Sequence, residues 1–225
     1  MIIGTLLGPV PYIGLIGSLL ALIGAILVIL GRAAFGPAHS RNAIWSIIIY
    51  IVGIATIIIG AIVFAFEVIS ATVATRNGTV TSSALSQALS SSFQTLLVAG
   101  AVGGAVIGIA QVLFTYAIQN RNGRIILWAA YAASIAIGIS EVIIIGQSVS
   151  DAVARSIAGG TYNPVPLQNL QNELQAFGLL GLIPAALYST ALYLVWSRIG
   201  RGELPPTTPP TPSSFAPAAP GTPTL

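Results

Sequence analysis

The sequence predicts an all-α integral membrane protein: a five-transmembrane-helix bundle with its N-terminus outside, its C-terminus in the cytoplasm and a disordered proline-rich tail. Three observations predict it. Of 225 residues, 55% are hydrophobic and 6% charged, whereas a soluble domain carries about a quarter of its residues charged. Several uncharged apolar stretches reach the roughly 20 residues needed to cross about 30 Å of hydrocarbon as a helix. The arginines gather in alternate segments between those stretches. Lipid is therefore the expected solvent, and the arginines set the orientation.

The first expected span is 12–30, after the apolar run Met1 to Val10 and a Pro9-Val10-Pro11 break. Met1 to Leu30 has no basic side chain, and a secretory signal begins with one, so this stretch is kept as structure. The second span is 43–66, the third 96–118, the fourth 125–145 and the fifth 177–195, where Pro184 is expected to bend the helix. All five are continuously apolar, which favours helices over barrel strands, whose positions alternate.

Lysine and arginine collect on the cytoplasmic side of short loops. Here Arg32, Arg41, Arg121, Arg124, Arg198 and Arg201 fall on one side, and Arg76 and Arg155 on the other. Trp45, Trp128 and Trp196 lie within four residues of arginines of the first group and read as an interfacial aromatic belt. The two external loops, 69–95 and 146–176, are expected to carry any recognition surface and short helices beyond the membrane. The first holds the glycosylation tripeptide Asn77-Gly78-Thr79. The domain 1–203 is followed by a tail, 204–225, with eight prolines, a composition that favours extended polyproline conformations. Pro209 to Pro212 match a PxxP pattern, and a semi-rigid tail is the preferred reading.

Lipid gives apolar side chains no hydrophobic reason to associate, so helices meet where small residues let backbones approach. Gly100, Gly104 and Gly108 recur every four residues in the third span, with Gly103 alongside. Ala129 and Ala133 offer a similar groove in the fourth, and Gly53 and Gly60 repeat at seven in the second. This predicts helix contact, within one chain in preference to between chains. Gln111 and Tyr131 are placed to share an interhelical hydrogen bond.

Glu67 and Glu141 are the acidic residues in or beside the spans, and ionised carboxylates are costly in hydrocarbon. One reading is a shared cation or proton site in the outer half of the bundle. The simpler and preferred one is a pair of interfacial residues reaching the headgroups, partnered by Arg76 or Arg155.

The remaining composition argues against chemistry. No cysteine is present and His39 is the single histidine, which disfavours thiolate, disulfide and histidine-built metal chemistry. His39 is expected to be cytoplasmic while Asp151 and Glu173 are external, so no Ser/His/Asp set assembles. Gly-Lys-Ser/Thr is absent, which removes a P-loop, and a net charge of +3 is too sparse for a nucleic-acid footprint. No cofactor, metal or catalytic activity is expected.

The opening Gly8-Pro9-Val10-Pro11-Tyr12-Ile13-Gly14, with the Gly/Leu/Ile-rich run to Leu30-Gly31 and its short basic turn, resembles an archaeal family of small multispan membrane proteins of unknown function. The resemblance covers about the first sixty residues and brings no site residues with it. The expected role is a noncatalytic structural or accessory subunit of a membrane assembly, with lipid and either its own copies or other membrane subunits as partners. The alternative is a small transporter or channel using the two carboxylates.

Overall fold

The computed structural model describes residues 23–27, 29–77, 81–157 and 165–204. Residues 12–22 of the first expected span, the tail beyond Leu204, and Gly78-Thr79 of the glycosylation tripeptide lie outside the described residues. Residues 23–27 and 29–30 are helical and lead into a 3-10 turn, Arg32–Phe35. Five helices follow: α1 Pro37–Arg76, α2 Ser82–Tyr116, α3 Arg121–Ile157, α4 Val165–Leu180 and α5 Leu182–Gly200. Among the described residues there is no strand.

Four segments are long and apolar enough to cross a membrane: 37–75, 83–116, 121–156 and 168–200, the last joining α4 and α5. Length and composition are consistent with a multi-pass membrane protein. Lipid offers the backbone no hydrogen-bond partners, and a helix satisfies them internally.

The starts and ends of these helices have local causes. Gly36, at φ 93°, takes a left-handed conformation that lets the chain leave the 3-10 turn, and Pro37 opens α1. Thr81 Oγ1 accepts from the Ala84 N–H at 3.4 Å and starts α2. Asn120 Oδ1 accepts from the Gly123 N–H at 2.8 Å and does the same for α3. Gly202, at φ 70°, closes α5: its N–H donates to Ile199 O, and the Glu203 N–H to Arg198 O, the paired bonds of a Schellman ending.

At the expected bend in the fifth span one residue interrupts the helix: Gly181 keeps φ −58° and ψ −17°, and 168–200 stays one apolar helical run. The Gly181 N–H bonds Gly178 O in a tight turn, and Pro184, lacking an N–H, cannot continue the α4 ladder. It is buried in the first turn of α5.

The helices expected beyond the membrane in the two outer loops are continuations of the spanning helices themselves. The 40 residues of α1 and the 37 of α3 extend about 60 and 55 Å, close to twice the hydrocarbon thickness. Most of 69–95 and 146–176 is therefore helix, because the ladder formed in lipid continues through residues with adequate helix propensity. Beyond the membrane-length portions these extensions pack on an apolar cluster of Ile145, Val149, Ala152 and Leu170, flanked by Phe93 and Phe177. The Ser90 and Ser150 hydroxyls hydrogen-bond across it.

Each helix packs chiefly on its neighbour: α1 on α2, α2 on α3, and α3 on both α4 and α5. Among the described helices α1 to α3 form a row, and α2, α3 and α5 close on one another around Val112, Leu127, Ala130, Tyr188 and Ala191. The α1–α2 seam is the closest approach. A Cβ added at Gly53 would lie 2.9 Å from Gly103 O, and one at Gly103 would lie 2.8 Å from Gly53 O. At Gly60 it would meet the Ala99 Cβ at 2.3 Å. Only glycine lets the two backbones touch there.

At the end of the row where six arginines gather, polar ties replace glycine contacts. Ser46 Oγ donates to Ala110 O at 2.7 Å, and Gln119 Nε2 to Ala191 O at 2.8 Å. Arg198 Nη1 donates to Ile118 O at 2.6 Å, filling a carbonyl that the end of α2 leaves open. Arg124 lies 4.7 Å over the Tyr116 ring. Trp45, Trp128 and Trp196 are exposed at this same end.

Candidate functional site

The α2 helix carries small residues on two faces about 100° apart, since each residue turns about 100° around the axis and Gly104 follows Gly103 directly. Gly103 belongs to the face that meets α1. Gly100, Gly104 and Gly108 line a groove of about 500 Å³ between α2 and α3, which continues to Gly181 and Pro184 at the interruption before α5.

Among the described residues Gly100 and Gly104 touch no neighbour: a Cβ added at either has nothing within 4 Å. Among the described residues the expected intramolecular contact along Gly100, Gly104 and Gly108 is made at Gly108 and not at the other two. Within this chain the close packing runs through Gly53, Gly60 and Gly103, which present backbone to backbone. Of the expected three, Gly108 alone is covered, with its Cβ position 2.7 Å from the Tyr131 ring and 3.6 Å from the Tyr188 hydroxyl.

Three polar side chains stand in the groove wall: Gln111 on α2, and Ser134 and Glu141 on α3. Ser134 Oγ is committed to Ala130 O at 3.0 Å. Glu141 is half-buried and has neither a hydrogen bond nor an ion pair among the described residues. The expected Gln111–Tyr131 hydrogen bond does not form: Gln111 opens onto the groove, and Tyr131 packs on Gly108 and edge-on to Trp128 at 5.8 Å.

The structure does not bring Glu67 and Glu141 together. Glu67 is exposed on α1, whose packing partner is α2, and it does not line the groove. A shared two-carboxylate site is therefore not built within one chain. Nor does Arg155 partner Glu141; it lies 4.0 Å from the Asp151 carboxylate, one turn away on α3.

Asp151, Arg155 and Glu173 edge a second cleft of about 480 Å³ between α3 and α4, beyond the membrane-length part of the row. Asn77 is exposed at the end of α1, and its N–H caps Val73 O. His39 is buried edge-on to Phe35, with ring centroids 5.6 Å apart, and neither ring nitrogen has a hydrogen-bond partner. Among the described residues, no cluster of three histidine, aspartate or glutamate side chains is placed to hold a metal ion.

Sequence reasoning misses Ser134, Gly138 and Gly181 as groove residues. Ser134 and Gly138 stand four apart on α3, the same small-residue spacing that points instead to Ala129 and Ala133. Comparisons with protein-family models, with curated proteins and with solved structures found no match. The N-terminal resemblance therefore brings neither a family nor a function to the chain.

Proposed function

We propose that this chain is a noncatalytic multi-pass membrane subunit whose α2–α3 groove receives a transmembrane helix of another subunit. The single observation that carries the reading is the open face at Gly100 and Gly104, small residues at membrane depth with nothing packed on them among the described residues. In lipid such faces are where helices associate. The orientation that accompanies this reading places the six-arginine end and the C-terminal tail in the cytoplasm of a cell-membrane protein.

The absence of native cysteine makes the test clean. Gly104→Cys and, as a lipid-facing control, Ile59→Cys are labelled with a photocrosslinker in native membranes. An adduct with another membrane polypeptide, or with a second copy, forms from Gly104 and not from Ile59. A partner-free monomer with no adduct at either position defeats the proposal.

One observation favours a second reading, a small transporter or channel: Glu141 lies beside a helix interruption, the kind of irregular backbone that lines transport cavities. Proton-coupled flux in vesicles that is lost in Glu141→Gln supports it, and unchanged flux removes it.

A further inference from the structure

We propose that the helix seated in the α2–α3 groove belongs to a different polypeptide and carries one basic side chain, lysine or arginine, at the level of Glu141. This rests on the docking reading above and adds the chemistry of the partner.

Glu141 lies about 26 Å along α3 from Arg124, which places it inside the far edge of a hydrocarbon layer about 30 Å thick that starts at the arginine-rich end. An acidic side chain at that depth faces a protein interior or pairs with another group. Glu141 lines the groove with Gly138 and Gly181, and among the described residues no side chain answers it. The small-residue floor makes the groove a seat for a helix backbone, and the carboxylate sets the sign of charge that helix must bring.

A second copy does not supply that charge. All eight basic residues are arginines, and each lies in the first or last turns of a helix or in the short connections between helices, far along the chain from the groove's depth. The symmetrical alternative would bring two carboxylates toward one axis, and like charges at short range oppose association. The complementary occupant is therefore a foreign helix with a cation, held by shape along Gly100 and Gly104 and selected by charge at Glu141.

The full-length protein in phosphatidylcholine vesicles is titrated with a fluorescent transmembrane peptide of leucine and alanine bearing its own GxxxG face. One version places a lysine at the depth of Glu141, and the other a leucine. Energy transfer to a label on an introduced cysteine reads binding. The lysine peptide binds about tenfold more tightly than the leucine peptide, the size of a good interhelical polar contact, and Glu141→Gln removes that preference while leaving leucine-peptide binding intact. Gly104→Leu weakens both.

Equal binding of the two peptides overturns the charge inference and leaves the docking reading standing. A lysine preference that survives Glu141→Gln, or persists in Gly104→Leu, places the cation elsewhere and overturns it as well. Failure of both peptides to bind defeats the charge inference and the docking reading together. Differently labelled copies that associate through the groove and exclude the peptide assign the seat to the chain itself and refute the foreign partner.

Discussion

The two small-residue faces of α2 are built from the same residue types and meet opposite fates. Around Gly103 every atom of space is taken: Ile57 Cγ1 stands 2.5 Å from where a Cβ would be, and the Gly53 carbonyl 2.8 Å. Around Gly104, one residue further on, there is nothing within 4 Å among the described residues. Glycine spacing states that a helix surface permits close approach, and not whether anything approaches. The partner decides, and α1 presents Gly53 and Gly60 to one face alone.

The largest effect that can break this comparison comes from Gly103→Leu. A side chain there collides with backbone as well as with Ile57, so α1 and α2 must separate, at a cost of about 3 kcal/mol, read as a lower melting temperature in detergent. Gly104→Leu is its counterpart: the melting of the isolated chain changes by less than about 0.5 kcal/mol, while crosslinking or co-purification through the groove is lost. If both variants melt alike, the two faces are not different.

Ser46→Ala sharpens the occupied side. It removes a buried 2.7 Å hydrogen bond between α1 and Ala110, and interhelical bonds of this kind contribute about 0.6 to 1 kcal/mol. Its melting shift therefore falls between those of the two glycine variants.

The smallest effect lies away from both faces. Hydrogen bonds from Arg201, and then from Arg198, hold the Glu203 carboxyl below its ordinary range. A group whose pKa is lowered by folding stabilises the structure above its ordinary value and loses that contribution as pH falls through the lowered one. Acidification into that range frays the α5 ending, seen as faster amide exchange at Gly202 and Glu203, with the groove unaffected. Glu203→Gln has the frayed exchange at neutral pH.

Much of the membrane architecture is legible from composition. Apolar length gives the four described spans, and the arginine pattern gives the end at which Arg32, Arg124 and Arg198 gather. The helix ends beyond the bilayer are not legible in that way, because hydropathy falls where lipid stops while the hydrogen-bond ladder does not. Ser82 to Ser92, in a loop expected to hold a short helix, is the start of α2 itself: Thr81 caps it, and one face packs near Phe93 on the outlying apolar cluster.

The site was legible in part. Glu141 stands out because carboxylates are costly at its depth, and the spacing of Gly53 and Gly60 marks a contact. Which glycine face of α2 that contact uses depends on a facing helix that no local pattern names. The separation of Glu67 from Glu141 follows from the row-like order of α1, α2 and α3, which span lengths alone leave open.

The unbroken run of α3 has a mechanical consequence. Glu141 in the groove and Asp151 at the rim of the second cleft sit on one rod, about 15 Å apart, with no proline, glycine pair or turn between them to absorb motion. Such a rod acts as a crankshaft: a rotation imposed at the oily end turns the watery end through the same angle. A spectroscopic label at Asp151 is therefore a remote gauge of events beside Glu141.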